Sequence, residues 1–74
     1  MNDEGKKIFD QLIAFQEKKL MRIAERIRPN LTTDDLLQPN DYPELENHPE
    51  FRFEEGVLNG IHTARMAFLS ANLS

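Results

Sequence analysis

The sequence predicts an all-α fold, an antiparallel helical hairpin with a structured proline-rich connector, and three observations carry that prediction. Two stretches of similar length repeat their apolar residues at helical spacing. All four prolines, at positions 29, 39, 43 and 49, lie between the stretches or at the first position of the second. The segment that holds the prolines contains two further helix-start patterns of its own. Seventy-four residues set one domain, 1–74, as the expectation.

The first helix spans about residues 3–28, DEGKKIFDQLIAFQEKKLMRIAERIR. Phe9, Leu12, Ile13, Leu20, Ile23, Ala24 and Ile27 fall within a sector about 120° wide at 100° per residue. Asn2 or Asp3 supplies a cap, and acids there suit the positive end of the helix dipole. Pro29 ends the helix by pushing Arg28 out of the α region. Arg26 and Arg28 then stand at the negative end, where cations are favourable.

The connector covers 29–48. Twenty residues without structure would count against a compact hairpin. Thr32 with Asp35, ahead of Leu36, Leu37 and Gln38, has the spacing of a cap and third helical position, and Pro39 ends that turn. Asp41 with Glu44 repeats the spacing around Pro43. Two short helical turns follow as the expectation, at 33–38 and 42–47. Leu31, Leu36, Leu37, Tyr42 and Leu45 give the segment apolar side chains with which to lid a small core. The other reading of the same residues is a docking surface.

The second helix spans about 49–72, with Pro49 in its first turn and Asn47 and Glu50 at capping-box spacing. Phe51, Val57, Leu58, Ile61, Phe68 and Leu69 form its apolar sector. Both helices are about 35 Å long at 1.5 Å per residue, which suits antiparallel pairing.

Composition narrows the functional classes. A chain of this length buries only about 60% of its unfolded surface, so its core is marginal and gains from a partner. The absence of cysteine excludes disulfides, thiolate metal sites and thiol catalysis. No stretch approaches the roughly 18 apolar residues of a membrane helix, and the N-terminus lacks the pattern of a signal peptide. The expected location is the cytoplasm, with no membrane association. Net charge is −4. Residues 29–50 carry Asp34, Asp35, Asp41, Glu44, Glu46 and Glu50 with no Lys or Arg, while residues 1–28 are mildly basic. That balance disfavours nucleic acid as the main partner, because phosphate affinity comes from Lys and Arg contacts.

Several features stand out against this background. Ile8 and Phe15, one heptad apart, widen the apolar sector of the first helix to roughly 180°, more than one partner helix covers. Either the connector folds over them or they form a second interface, for a homodimer or another protein. Gln16 lands near the middle of the apolar sector, where it must find a hydrogen bond or reach solvent; in coiled coils such a residue fixes register. Gly56, Gly60 and Ala64 are spaced four apart, and two glycines inside a helix cost about 1 kcal/mol each relative to alanine. Close helix packing offsets that cost, within the hairpin or between protomers.

The remaining features point to no chemistry. His62 shares a face with Glu55 and Asn59, but Glu55 and His62 lie about 10 Å apart along the helix, too far to share a metal ion. His48 precedes Pro49 and suits a cap. Lys18, Lys19, Arg22 and Arg26 form a basic stripe beside Phe15, which offers a nucleic-acid reading that the acidic connector opposes. No catalytic, cofactor-binding or metal-ligating residue is assigned and no cofactor is implied. The sequence is read as a small non-enzymatic interaction protein, adaptor or chaperone-like, that self-associates into a homodimeric four-helix bundle and binds a protein partner. The expected contacts are Ile8, Phe15 and Arg22 on the first helix and Leu37, Tyr42 and Leu45 on the connector, with Gly56, Gly60 and Ala64 for helix packing. A nucleic-acid-binding regulator and a small metal-dependent protein are the alternatives.

Overall fold

The computed structural model describes residues 3–32, 34 and 42–73. The chain is a helical hairpin of α1 (Asp3–Ile27), α2 (Pro43–Glu46) and α3 (Pro49–Leu73), with no strand among the described residues. The proline stop acts where expected. The Arg28 backbone N–H still donates to the Ala24 carbonyl at 2.8 Å, and regular helix has ended one residue earlier, at Ile27. Asn30 then takes φ 72°, a left-handed conformation that a short polar side chain tolerates better than most. The expected cap at Asn2 or Asp3, the turn at 33–38 with Thr32 and Asp35, and Asp41 fall wholly or partly outside the described residues.

The second connector turn is present as α2. Pro43 stands at its start, and the N–H groups of Leu45 and Glu46 donate to the Tyr42 carbonyl at 2.9 and 3.0 Å. The junction with α3 corrects the sequence reading. Asn47 closes α2 instead of opening α3: its backbone N–H and its side-chain Nδ2 both donate to the Pro43 carbonyl at 3.0 Å. His48 takes the capping place, with Nδ1 accepting from the Phe51 N–H at 3.4 Å. Glu50 is drawn instead to Arg26 on α1.

α1 and α3 run antiparallel in a register set by three contacts: Lys19 with Glu54, Asp10 with Arg65, and Gly5 with Phe68. The core is one-ended. Leu20, Ile23, Ala24, Leu31, Leu45 and Phe51 are its buried apolar residues, with Met21, Ile27, Tyr42 and Leu58 packed against them. All six lie near the connector. In the far half, Phe9, Ile13, Ile61, Phe68 and Leu69 are only half-buried. The reason is geometric. The molecule measures 42 × 18 × 16 Å, less than two helix diameters of about 10–12 Å in either short direction. Two helices side by side form a single layer, and a core needs two. Among the described residues, the connector supplies the second layer at one end only, through Leu31, Tyr42 and Leu45.

A candidate interaction face

Ile8 is 56% exposed and Phe15 67% exposed, so among the described residues no part of the connector covers them. Leu12, expected in the buried sector, joins them at 46%. Together these three make one row along α1. Lys19 extends it, and from Lys19 the row turns basic with Arg22 and Arg26.

A matching row runs along α3. Phe53, Val57, Gly60, Ala64, Ala67 and Ala71 succeed one another at alternating steps of four and three, the spacing of a coiled-coil seam. Phe53 is 68% exposed, Val57 lies at the edge of exposure, and the Gly and Ala positions face solvent. On each helix the row lies roughly 100° around from the buried row. For two antiparallel right-handed helices that rotation leads to the same side of the hairpin. The ion pairs agree: Lys19 reaches Glu54 at 3.0 Å and Arg26 reaches Glu50 at 2.6 Å across that edge. The hairpin therefore has one broad apolar face, bulky along α1 and, past Phe53 and Val57, small-sided along α3 from Gly60 to Ala71. Sequence reading missed Phe53 and placed Leu12 and Val57 in the core. The alternating spacing on α3 is the signal that could have found this row.

The glycines resolve differently from the reading of close packing inside the hairpin. A side chain at Gly56 or Gly60 would meet nothing within 4 Å, and Ala64 is exposed. Among the described residues of one copy, no close contact offsets the helix cost of these glycines. Close packing occurs instead at Gly5, where a Cβ would clash with the Cζ end of the Phe68 ring. Phe68 in turn packs against Phe9, with ring centroids 5.4 Å apart and the planes tilted by 46°.

The expected connector contacts divide. Leu45 is fully buried in the core and has no surface to offer a partner, because the single turn of α2 points it at α1 and α3. Tyr42 is half-buried beneath the Arg28 guanidinium, 4.7 Å from its ring centroid. Leu37 lies outside the described residues. Arg22 is exposed, and no carboxylate among the described residues pairs with it. It borders a shallow cleft of about 730 Å³ shared with Lys19, Arg26, Glu50 and Glu54.

Beneath this edge lies a buried polar pair. Gln16, 5% exposed, donates from Nε2 to the backbone carbonyl and to Oε1 of Glu54, both at 2.9 Å. Hydrogen bonding from Gln16, and then from the Lys19 ammonium, holds the Glu54 carboxyl below its ordinary value. Of the two readings of Gln16, the buried partner is the one present. Among the described residues no buried side-chain nitrogen or oxygen lacks a hydrogen bond. No three His, Asp or Glu residues among them cluster as a metal ion would require, and His62 is exposed. No described helix is long and apolar enough to cross a membrane.

Fold and face together define a class: an all-α helical hairpin with a one-ended core and an apolar face open to solvent. No protein-family model, curated protein or solved structure matches the chain.

Proposed function

We propose that this chain is a non-enzymatic interaction protein that works by self-association and by presenting helix surface to a protein partner. The observation that carries the reading is the row Ile8, Leu12 and Phe15, each 46% or more open to water, above a half-hairpin that contains no buried apolar side chain among the described residues. Contiguous apolar faces of this kind mark interfaces, because leaving them in water forfeits the hydrophobic gain of covering them. A homodimeric four-helix bundle supplies the missing layer. The basic stripe supports the nucleic-acid alternative poorly, since Lys19 and Arg26 already pair with Glu54 and Glu50. Sedimentation equilibrium over a wide concentration range tests the reading. A mass twice that of the 8.6 kDa chain is expected, falling to one copy on Phe15→Glu. A single-copy mass at every concentration would end it.

A further inference from the structure

The apolar face is asymmetric in a way that selects its occupant, and the inference rests on the self-association reading above. We propose that a second copy of this chain covers the face about a two-fold axis parallel to the helices, so that α1 of each copy packs antiparallel on α3 of the other. Such an axis keeps every residue at its own height along the bundle. The heights are those fixed by Lys19–Glu54, Asp10–Arg65 and Gly5–Phe68.

At those heights the bulky row meets the gaps of the small row. The partner's Phe15 falls between Val57 and Gly60. The partner's Leu12 falls between Gly60 and Ala64, and the partner's Ile8 between Ala64 and Ala67. This is knobs-into-holes packing, with the holes widened by the absence of side chains. It gives Gly60 the close neighbour that the single chain lacks. An isologous interface must be complementary to itself, and a face that sets a ridge beside a groove at the same heights meets that condition.

Charge and area point the same way. The partner's Arg22 arrives between Glu50 and Phe53, beside a Glu50 side chain that is still 51% exposed. The exposed fractions of Ile8, Leu12, Phe15, Phe53 and Val57 amount to roughly 500 Å² of apolar side chain per copy, and the Gly and Ala positions and charged stems add to it, against the roughly 800 Å² per partner of an ordinary specific interface. The alternative axis, across the helices, would set α1 on α1 and α3 on α3. Bulky rows would then collide while small rows left gaps.

The chain has no cysteine, so introduced cysteines report the axis cleanly. Chains carrying Leu12→Cys, marked by a tag, are mixed with chains carrying Gly60→Cys, allowed to exchange and oxidised. The expected product is a disulfide between the two kinds of chain, with little product from either alone. In the proposed geometry Leu12 and its copy lie diagonally across the bundle, as do Gly60 and its copy, beyond the reach of about 7 Å between Cα atoms that a disulfide allows. Gly60→Leu is the companion variant. Nothing within 4 Å opposes it in the single chain, so helicity at low concentration is kept while dimer affinity falls at least tenfold. Dimers that cross-link Gly60 to Gly60 or Leu12 to Leu12, or that are indifferent to Gly60→Leu, would overturn the proposed axis and leave self-association standing. A chain that stays single at every concentration would remove both.

Discussion

Gln16 binds Glu54 twice, through one nitrogen that donates at 2.9 Å to the backbone carbonyl and at 2.9 Å to the carboxylate. The two residues are 38 positions apart and lie where α1 and α3 approach beside the core. Apolar contacts are nondirectional and let two helices slide by a turn at small loss. A directional bond to one carbonyl does not. Gln16 and Glu54, with Lys19 closing the carboxylate's other side at 3.0 Å, therefore fix the register on which the Ile8–Leu12–Phe15 row depends.

This pair should behave as a unit. Gln16→Leu alone leaves a buried carboxylate short of a donor, so the denaturation midpoint falls even though leucine suits the helix and the core. Gln16→Leu with Glu54→Leu removes both partners and recovers most of the loss, since the expensive state is the half-satisfied one. Urea titration of the wild type, both single variants and the double variant measures the coupling. Strictly additive effects would show that the two residues stabilise the fold independently.

Acid should loosen the same contact. A carboxyl held below its ordinary value of 4.5 takes up a proton less readily when folded than when unfolded. Its contribution to stability is therefore complete above that value and lost as pH falls through the lower, folded one. Glu44, held down chiefly by its hydrogen bond from the Arg28 guanidinium, acts in the same direction. Urea midpoints at pH 7 and pH 3 should differ in the wild type, and the difference should narrow in Glu54→Gln. An unchanged difference in that variant would place the acid sensitivity elsewhere.

The same substitution should have opposite effects at two glycines. Gly56→Ala meets open space and lies off the proposed seam, so it should stabilise the chain by about 1 kcal/mol through helix propensity alone. Gly5→Ala carries the same propensity gain but drives a methyl into the Phe68 ring, which is pinned against Phe9. The ring must leave its place, and the variant should be less stable than the wild type. Thermal unfolding followed by circular dichroism separates the two. Equal stabilisation at both positions would show that Phe68 relocates freely.

Much of this architecture was legible because backbone chemistry is local. Pro29 and Pro43 mark a helix end and a helix start through a fixed φ and a missing N–H, whatever surrounds them. Apolar periodicity likewise gives the inward face of each helix. It does not say how far along the length that face is covered, so Leu12 and Leu20 look equivalent on a wheel although one is 46% exposed and the other 3%. Their difference is made by Leu31 and Leu45, which arrive from the connector at one end only. The bond from Gln16 to Glu54 and the seating of Phe68 on Gly5 depend on long-range register, which no local pattern encodes. His48 suits a cap by its place before Pro49, but Asn47 competes for that role as the stronger capping residue by type, and only the fold shows that its side chain is already committed to the Pro43 carbonyl.

The last contrast sets the core against the face. Leu45 is wholly enclosed by α1, α3 and the connector, so Leu45→Ala should cost about 2–5 kcal/mol, the range for a leucine whose cavity cannot collapse. That cost is paid inside each copy and should not change with protein concentration. Phe15 presents 67% of its surface to water in the single chain. Phe15→Ala should therefore be nearly neutral in dilute solution, within about 0.5 kcal/mol, as for surface changes away from special contacts. As concentration rises, the wild type gains stability by mass action while the variant gains less, and the gap between them widens. Thermal melts at concentrations spanning the dimer dissociation constant test both halves. A Phe15→Ala deficit that is large and constant with concentration would mean that Phe15 is covered within its own chain, and the face would lose its leading residue.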